Sequence, residues 1–169
     1  MNTYWLAIDT ENTSYTELQG RKVVAQGWPQ LGDLKTLCKL AGNAKNHEVF
    51  KQVIAALALA VGDENQRPQE VMWKLLNLQK GDLIIGIEGT VVKGICQMPH
   101  SAADSYRYDG DDAFNYSQTV GFPVTWVDWD EELFGFTPKA PAQSVPGIAG
   151  LVNDQDKIIK AWDSLIKGA

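Results

Sequence analysis

Two apolar runs that lie next to each other in the middle of the chain constrain its fold more than any other feature. The first run covers residues 83–87, the second covers residues 91–96, and Glu88 and Gly89 lie between them. β-branched runs joined by a short turn that contains glycine predict a β-hairpin. A third strand is predicted at residues 122–129, where Phe122, Val124 and Trp126 alternate with polar or small residues. The sequence therefore predicts a bent, mostly antiparallel sheet at the centre of the protein.

The remaining patterns predict short strands and helices around this sheet. Strand patterns are rich in β-branched and aromatic residues, whereas helix patterns repeat apolar residues at helical spacing. In chain order we expect a strand at 3–9, a polar loop at 10–20, a strand at 22–25, helices at 34–41, 47–61 and 69–78, and a last amphipathic helix after Asn153 and Asp154. This order does not alternate regularly, which argues against a doubly wound parallel sheet. We expect an α+β fold, a mostly antiparallel, barrel-like sheet with helices outside it, in one domain of residues 1–169.

The composition of the chain predicts the cellular compartment of the protein. No apolar run reaches 18 residues, so no membrane-spanning helix is expected. The first residues carry neither a basic segment nor a long apolar segment, so no secretory signal is visible. The two cysteines, Cys38 and Cys96, are far apart in sequence and are expected to be free core thiols. These features predict a cytoplasmic protein in a reducing environment.

Charge divides the chain into two contrasting segments. The net charge is −6, which is unfavourable for binding phosphates. However, residues 20–51 hold six basic and two acidic residues, a balance of +4, whereas residues 101–135 have a balance of −7. The basic segment supplies candidate phosphate contacts, namely Arg21, Lys22, Lys35 and Lys39. The alternative is that both segments are simply solvated faces.

Patterns typical of enzymes and metal sites are weak in this sequence. The chain has two histidines, His47 and His100, and it lacks the CxxC, HxxxH, HExxH and GxSxG motifs. The acidic run at 109–112 resembles part of a calcium loop. However, Ala113 and Phe114 occupy the positions where such a loop requires a ligand and a glycine. The sequence therefore predicts neither an enzyme, nor a bound metal, nor a cofactor.

Aromatic residues in predicted loops are more informative. Trp28 lies between Gly27 and Pro29, in a turn where a large apolar ring requires an explanation. Tyr106, Tyr108 and Tyr116 also lie in a polar, acidic loop. Loop aromatics on a rigid sheet can stack on a flat ligand, and such stacking contributes about 1–3 kcal/mol per base. The alternative is that these rings close the open end of a barrel.

The order of several short motifs resembles a known family. These motifs are the initial Tyr-Trp-Leu-Ala-Ile strand, Gly27-Trp28, Leu-Gly-Asp-Leu at 31–34, Trp73 before Lys80-Gly81-Asp82, Thr-Val-Val-Lys-Gly-Ile at 90–95, Tyr-Arg-Tyr-Asp at 106–109, and Phe-Pro-Val-Thr-Trp at 122–126. Together they resemble the EVE-like branch of the PUA-like superfamily, which is related to YTH domains. The greatest similarity is to N-terminal modules of McrB-type restriction proteins, and it runs over residues 4–162.

This resemblance implies a curved β-barrel with flanking helices and an aromatic cage for a flipped, often methylated, base. By position, Trp28 matches the first wall of the cage, while Asp9 and Thr10 match polar groups that read the base edge. The second wall is expected from Tyr106, Tyr108 or Tyr116, and the sequence does not choose among them. These residues carry no motor or nuclease pattern, so restriction activity would come from a partner protein.

The leading expectation is a non-catalytic reader of a modified base in DNA or RNA, linked to restriction or phage defence. Two rival functions come from other classes. One is a protein-interaction module, such as a phage or defence component, which the acidic segment favours. The other is a small hydrolase or nuclease on a related fold.

Overall fold

Two β-sheets and seven α-helices form the part of the chain that the structure describes. The structure is a computed structural model, and it describes residues 1–8, 14–62, 68–113, 115–141, 147–150 and 153–168. The strands are β1 Thr3–Ile8, β2 Val24–Gln26, β3 Leu83–Glu88, β4 Val91–Gln97, β5 Arg107–Tyr108, β6 Gln118–Val120, β7 Trp126–Asp128 and β8 Ile148–Gly150. The helices are α1 Tyr15–Arg21, α2 Cys38–Ala41, α3 His47–Ala60, α4 Pro68–Leu76, α5 Ala102–Ser105, α6 Glu131–Phe134 and α7 Gln155–Gly168. The expected α+β class is confirmed.

The central hairpin is confirmed as the middle of the larger sheet. β3 and β4 pair antiparallel, and the register shifts between Gly86 and Ile87, which bends the hairpin. The strand order of this large sheet is β7-β4-β3-β1-β8, in which only the β1–β3 pairing is parallel. The small sheet is antiparallel and has the order β2-β6-β5.

The barrel expected from the sequence is not observed. Among the described residues, neither sheet closes on itself. The large sheet ends at β7 and β8, and each of these short edge strands pairs on one side. The third strand is also shorter than residues 122–129, because the nitrogen of Pro123 cannot donate to a strand ladder. The amide of Val124 instead donates to the carbonyl of Lys22 at 2.9 Å, which ties this segment to the end of α1.

Helix α1 lies where the sequence led us to expect a polar loop, so that prediction is wrong for residues 15–20. The helix begins because the Ser14 side chain accepts a hydrogen bond from the Glu17 amide at 3.1 Å. Ser14 and Glu17 have the spacing of a capping box, a signal that the sequence does contain. The helix ends at Lys22, whose backbone is left-handed.

The core divides into two clusters, one on each face of the large sheet. In β3, Ile84 joins the cluster under α3 and α4, whereas Leu83 and Ile85 join the cluster under α6 and α7. This division follows from the alternation of side chains along a strand. Both faces of β3 are therefore buried, and helices cover both sides of the sheet. Trp5, Trp126 and Trp162 belong to these clusters, and each is at most 6% exposed.

Two further expectations concern thiols and membranes. Cys38 and Cys96 are both buried and free. Burial raises the pKa of the Cys96 thiol well above its ordinary value, so the thiol stays protonated. None of the described helices is both long enough and apolar enough to span a membrane.

We predict that Gly94→Ala destabilises the protein by about 1–3 kcal/mol, the range expected for overpacking. Gly94 of β4 pairs with Asp128, and a β-carbon there would lie 2.7 Å from the carbonyl oxygen of Val127 and would overlap the ring of Tyr15. The free energy of unfolding in urea measures the loss.

The matched control is Gly150→Ala in β8, where an added β-carbon meets no atom of the described chain within 4 Å. Its free energy of unfolding should stay within about 1 kcal/mol of the wild type. If both variants lost the same free energy of unfolding, close packing around Gly94 would not be the cause of the destabilisation.

Candidate functional site

Trp28 has a backbone conformation that is unusual for a bulky residue. Its φ is 65° and its ψ is 57°, which is the left-handed region. A bulky residue there costs about 1–3 kcal/mol, and it persists only where its surroundings impose it. The indole is half-buried and packs against the core cluster under α3 and α4. Residues 27–34 are called the Trp28 turn below.

Gln118 of β6 holds both ends of the Trp28 turn. Its side chain is fully buried, and its Nε2 donates to the carbonyl of Trp28 at 3.2 Å and to that of Gly32 at 3.1 Å. Its Oε1 accepts a hydrogen bond from the Tyr106 hydroxyl at 2.6 Å. A single amide therefore fixes the turn to the small sheet.

Two of the predicted cage tyrosines also bind the backbone of this turn. The Tyr106 hydroxyl accepts from the amide of Leu34 at 2.8 Å, and the Tyr108 hydroxyl donates to the carbonyl of Pro29 at 2.7 Å. Tyr106 is only 5% exposed, whereas Tyr108 is half-buried. Burial raises the pKa of Tyr106 well above its ordinary value. Tyr108 is thus the tyrosine that both contacts the turn and keeps exposed surface.

Tyr116, the third predicted cage tyrosine, binds the start of α1. Its ring is 3% exposed, and its hydroxyl donates to the carbonyl of Ser14 at 2.8 Å and accepts from the Ser14 amide at 3.0 Å. It therefore anchors the chain directly after the segment at 9–13. Asp9 and Thr10, the predicted base-edge groups, lie outside the described residues.

The predicted phosphate contacts differ in how far their charges are already compensated. Arg21 pairs with Glu17 at 2.6 Å and also with Asp112. The ammonium of Lys35 donates to the carbonyl of Ala103 at 3.1 Å, and its side chain is exposed. Lys22 and Lys39 are exposed as well. The lysines therefore present more available charge than Arg21 does.

Asn115 is a polar group at the turn that the sequence analysis missed. Its backbone is left-handed, with φ at 55°, and its side chain is exposed. A β-carbon on Gly27 would lie 2.7 Å from its Nδ2, so the amide packs directly against the turn where Gly27 lacks a side chain. The Gly-Trp pair was visible in the sequence, but its contact with a residue far along the chain was not.

Arg107 and Phe122 form a second exposed group that the sequence analysis missed. The guanidinium carbon of Arg107 lies 4.7 Å from the centre of the Phe122 ring, and Phe122 is 40% exposed. Neighbouring backbone is fixed, because the Gly121 amide donates to the Ser105 hydroxyl at 2.8 Å. The signal in the sequence was a lone arginine in a segment with eight acidic residues.

The groups gathered at the Trp28 turn can stack on a ligand and form hydrogen bonds with it. They are the Trp28 and Tyr108 rings, the Asn115 amide, and a backbone fixed by Gln118. No family model, curated protein or solved structure matches this chain. Its function is therefore argued from the geometry of this turn.

We predict that Tyr106→Phe lowers the free energy of unfolding by about 1–3 kcal/mol, the cost of leaving buried polar groups unpaired. The change removes the partner of the Leu34 amide and one partner of Gln118. Tyr108→Phe is the matched control, since it loses a single bond from a half-buried hydroxyl and should cost about 0.5–1.5 kcal/mol. Urea unfolding measures the free energy of unfolding of both variants. A larger loss for Tyr108→Phe than for Tyr106→Phe would contradict the prediction.

Tyr106 should also make the protein sensitive to alkali. Its pKa is raised in the folded state by burial, whereas a tyrosine in the unfolded chain titrates near about pH 10. The unfolded state therefore loses its proton first, and stability that is complete below about pH 10 falls as the pH rises further. Thermal melts between about pH 8 and pH 11 should show a smaller decline for Tyr106→Phe than for the wild type. Parallel declines would contradict this assignment.

Proposed function

We propose that this chain is a non-catalytic reader that stacks a modified, methylated base of DNA or RNA on Trp28. The observation that carries the proposal is the left-handed backbone of Trp28. Asparagine or glycine adopts this conformation at lower cost, so a tryptophan held there by buried contacts suggests a role for the ring itself.

The proposal includes membership of the PUA-like superfamily, in its EVE-like or YTH-type form. Its support is the order of the motifs along the sequence, together with the position of Gly27 and Trp28 directly after β2. In this view the two sheets are parts of a curved, barrel-like arrangement. The reducing cytoplasm is the proposed location, because the two thiols are free and buried.

Reading would combine stacking with recognition of the base edge. Trp28 is the proposed first wall, and Tyr108 is the preferred second wall because it is only half-buried, whereas Tyr106 and Tyr116 are buried. The Asn115 amide offers both a donor and an acceptor beside the turn, which suits the edge of a base. Asp9 and Thr10 remain proposed readers of the same edge. Stacking of about 1–3 kcal/mol would offset part of the few kcal/mol that base extrusion costs.

The flanking nucleotides would meet Lys22, Lys35, Lys39 and the stacked pair of Arg107 and Phe122. Each exposed cation can release a counterion from a nucleic acid, which makes binding salt-dependent. The acidic segment opposes tight duplex binding, so the proposal favours a base that is already unpaired. Arg21 contributes less, because Glu17 and Asp112 already compensate its charge. A partner protein would supply any motor or nuclease activity.

We predict that Trp28→Leu weakens binding of the recognised nucleoside by about 5- to 150-fold, which corresponds to the loss of one stacking contact. Trp28→Tyr keeps an aromatic ring and should retain most of the affinity. Isothermal titration with methylated and unmethylated nucleosides measures this, and it does not depend on the fluorescence of the residue that is changed. Thermal melts confirm that both variants fold.

Two results would overturn the base-reader proposal. One is the absence of binding for every nucleoside and short oligonucleotide tested. The other is a nucleoside that binds Trp28→Leu as tightly as it binds the wild type.

We also predict that Phe122→Ala weakens binding of an oligonucleotide by about 5- to 20-fold, but leaves binding of the free nucleoside unchanged. Phe122 is exposed, so its loss should leave the fold intact. Arg107→Ala should additionally reduce the dependence of affinity on salt by about one counterion. Equal effects on nucleoside and oligonucleotide would show that these residues act on the pocket rather than on the flanking strand.

A further inference from the structure

An open groove runs between α6 and α7, against the core cluster that does not contain the Trp28 turn. Its volume is about 780 Å³. One wall includes Leu133, Phe134 and Phe136, and the other includes Lys157, Lys160 and Leu165. The groove therefore combines an apolar floor with a basic rim.

Part of the apolar lining of this groove is in contact with solvent. Leu133 is 54% exposed, and Phe136 and Leu165 are half-buried. Single exposed apolar residues are common, but several around one concave surface are typical of an interaction site.

The α6 wall of the groove is fixed in place. Trp129 stacks on Phe134 with ring centres 4.3 Å apart, and its Nε1 donates to the carbonyl of Phe136 at 3.0 Å. The Asp130 carboxylate caps α6 by accepting from the amide of Glu132 at 2.8 Å. A wall that is already ordered loses little conformational entropy when it binds a partner.

The charge of the groove contrasts with that of the whole chain. Among the described residues that line it, the charged ones are Lys157 and Lys160, although the chain carries a net charge of −6. Lys157 lies 3.2 Å from Asp154 and is 70% exposed, so this surface ion pair is weak and can exchange. The rim is therefore complementary to carboxylates.

The length of the groove matches a short helix. Its lining residues on α7 run from Lys157 to Leu165, which is about 12 Å, or two helical turns. Recognition of a helix in a groove uses apolar anchors at about this spacing. We propose that the groove binds a short amphipathic helix of a partner protein, with apolar residues facing the floor and acidic residues facing Lys157 and Lys160. This site is separate from the base-reading site.

The probes are two synthetic amphipathic peptides that share the same leucines and phenylalanines. One peptide carries glutamates at its polar positions, and the other carries lysines. Fluorescence anisotropy measures binding to the full chain. The glutamate peptide should bind the wild type at least about tenfold more tightly than the lysine peptide.

Three variants test the residues that the proposal names. Lys157→Glu with Lys160→Glu should reverse the preference between the two peptides. Lys139→Glu with Lys167→Glu changes the net charge equally outside the groove lining, and should leave the preference unchanged. Leu133→Ser should weaken binding of the glutamate peptide while the fold is retained, because this side chain is exposed.

Several outcomes would overturn the proposal. They are a wild type that binds neither peptide, equal binding of both peptides, and a preference that the groove variants do not change. Sedimentation equilibrium provides a further test. If the chain forms a dimer that the groove variants dissociate, the occupant of the groove is a second copy of the chain instead. Trp28→Leu should bind the glutamate peptide normally, so failure of the base-reader proposal leaves this test intact.

Discussion

Burial of β3 on both of its faces is the constraint on which the rest of the structure depends. Leu83, Ile84 and Ile85 are fully buried, and they belong alternately to two apolar clusters. A strand with two apolar faces requires a layer on each side. The helices α3 and α4 cover one face, and α6 and α7 cover the other. This division also separates the two proposed sites, because the Trp28 turn belongs to one layer and the groove to the other.

The sequence predicts most of what depends on local patterns. The hairpin and the helices α3, α4 and α7 follow from periodicity, and even the missed α1 left a readable sign in Ser14 and Glu17. The parallel pairing of β1 with β3 joins segments about 80 residues apart, and no local pattern encodes such a contact. The same limit applies to the site. The Gly-Trp-Pro turn identified Trp28, but nothing near Gln118 indicated that its amide holds that turn.

Satisfied hydrogen bonds explain why the three tyrosines of the acidic loop are not equivalent. Tyr106 and Tyr116 are nearly inaccessible, and their hydroxyls each make two backbone or side-chain bonds. Their rings chiefly contribute to packing, whereas Tyr108 combines an anchoring bond with partial exposure. The sequence shows three similar residues, and burial distinguishes them. Similarly, the sequence shows Arg21 and the nearby lysines as equivalent basic residues, but the ion pairs of Arg21 already compensate its charge.

The contacts that shape the Trp28 turn have a consequence for engineering. Gln118, Tyr106 and Tyr108 bind backbone atoms of the turn, at positions 28, 29, 32 and 34. These bonds shape the path of the turn from outside it, while Leu31 and Leu34 anchor it in the core. Asp33 is exposed, so a library that varies position 33 would change the surface that the turn presents to a ligand while the bonds that shape the loop stay the same.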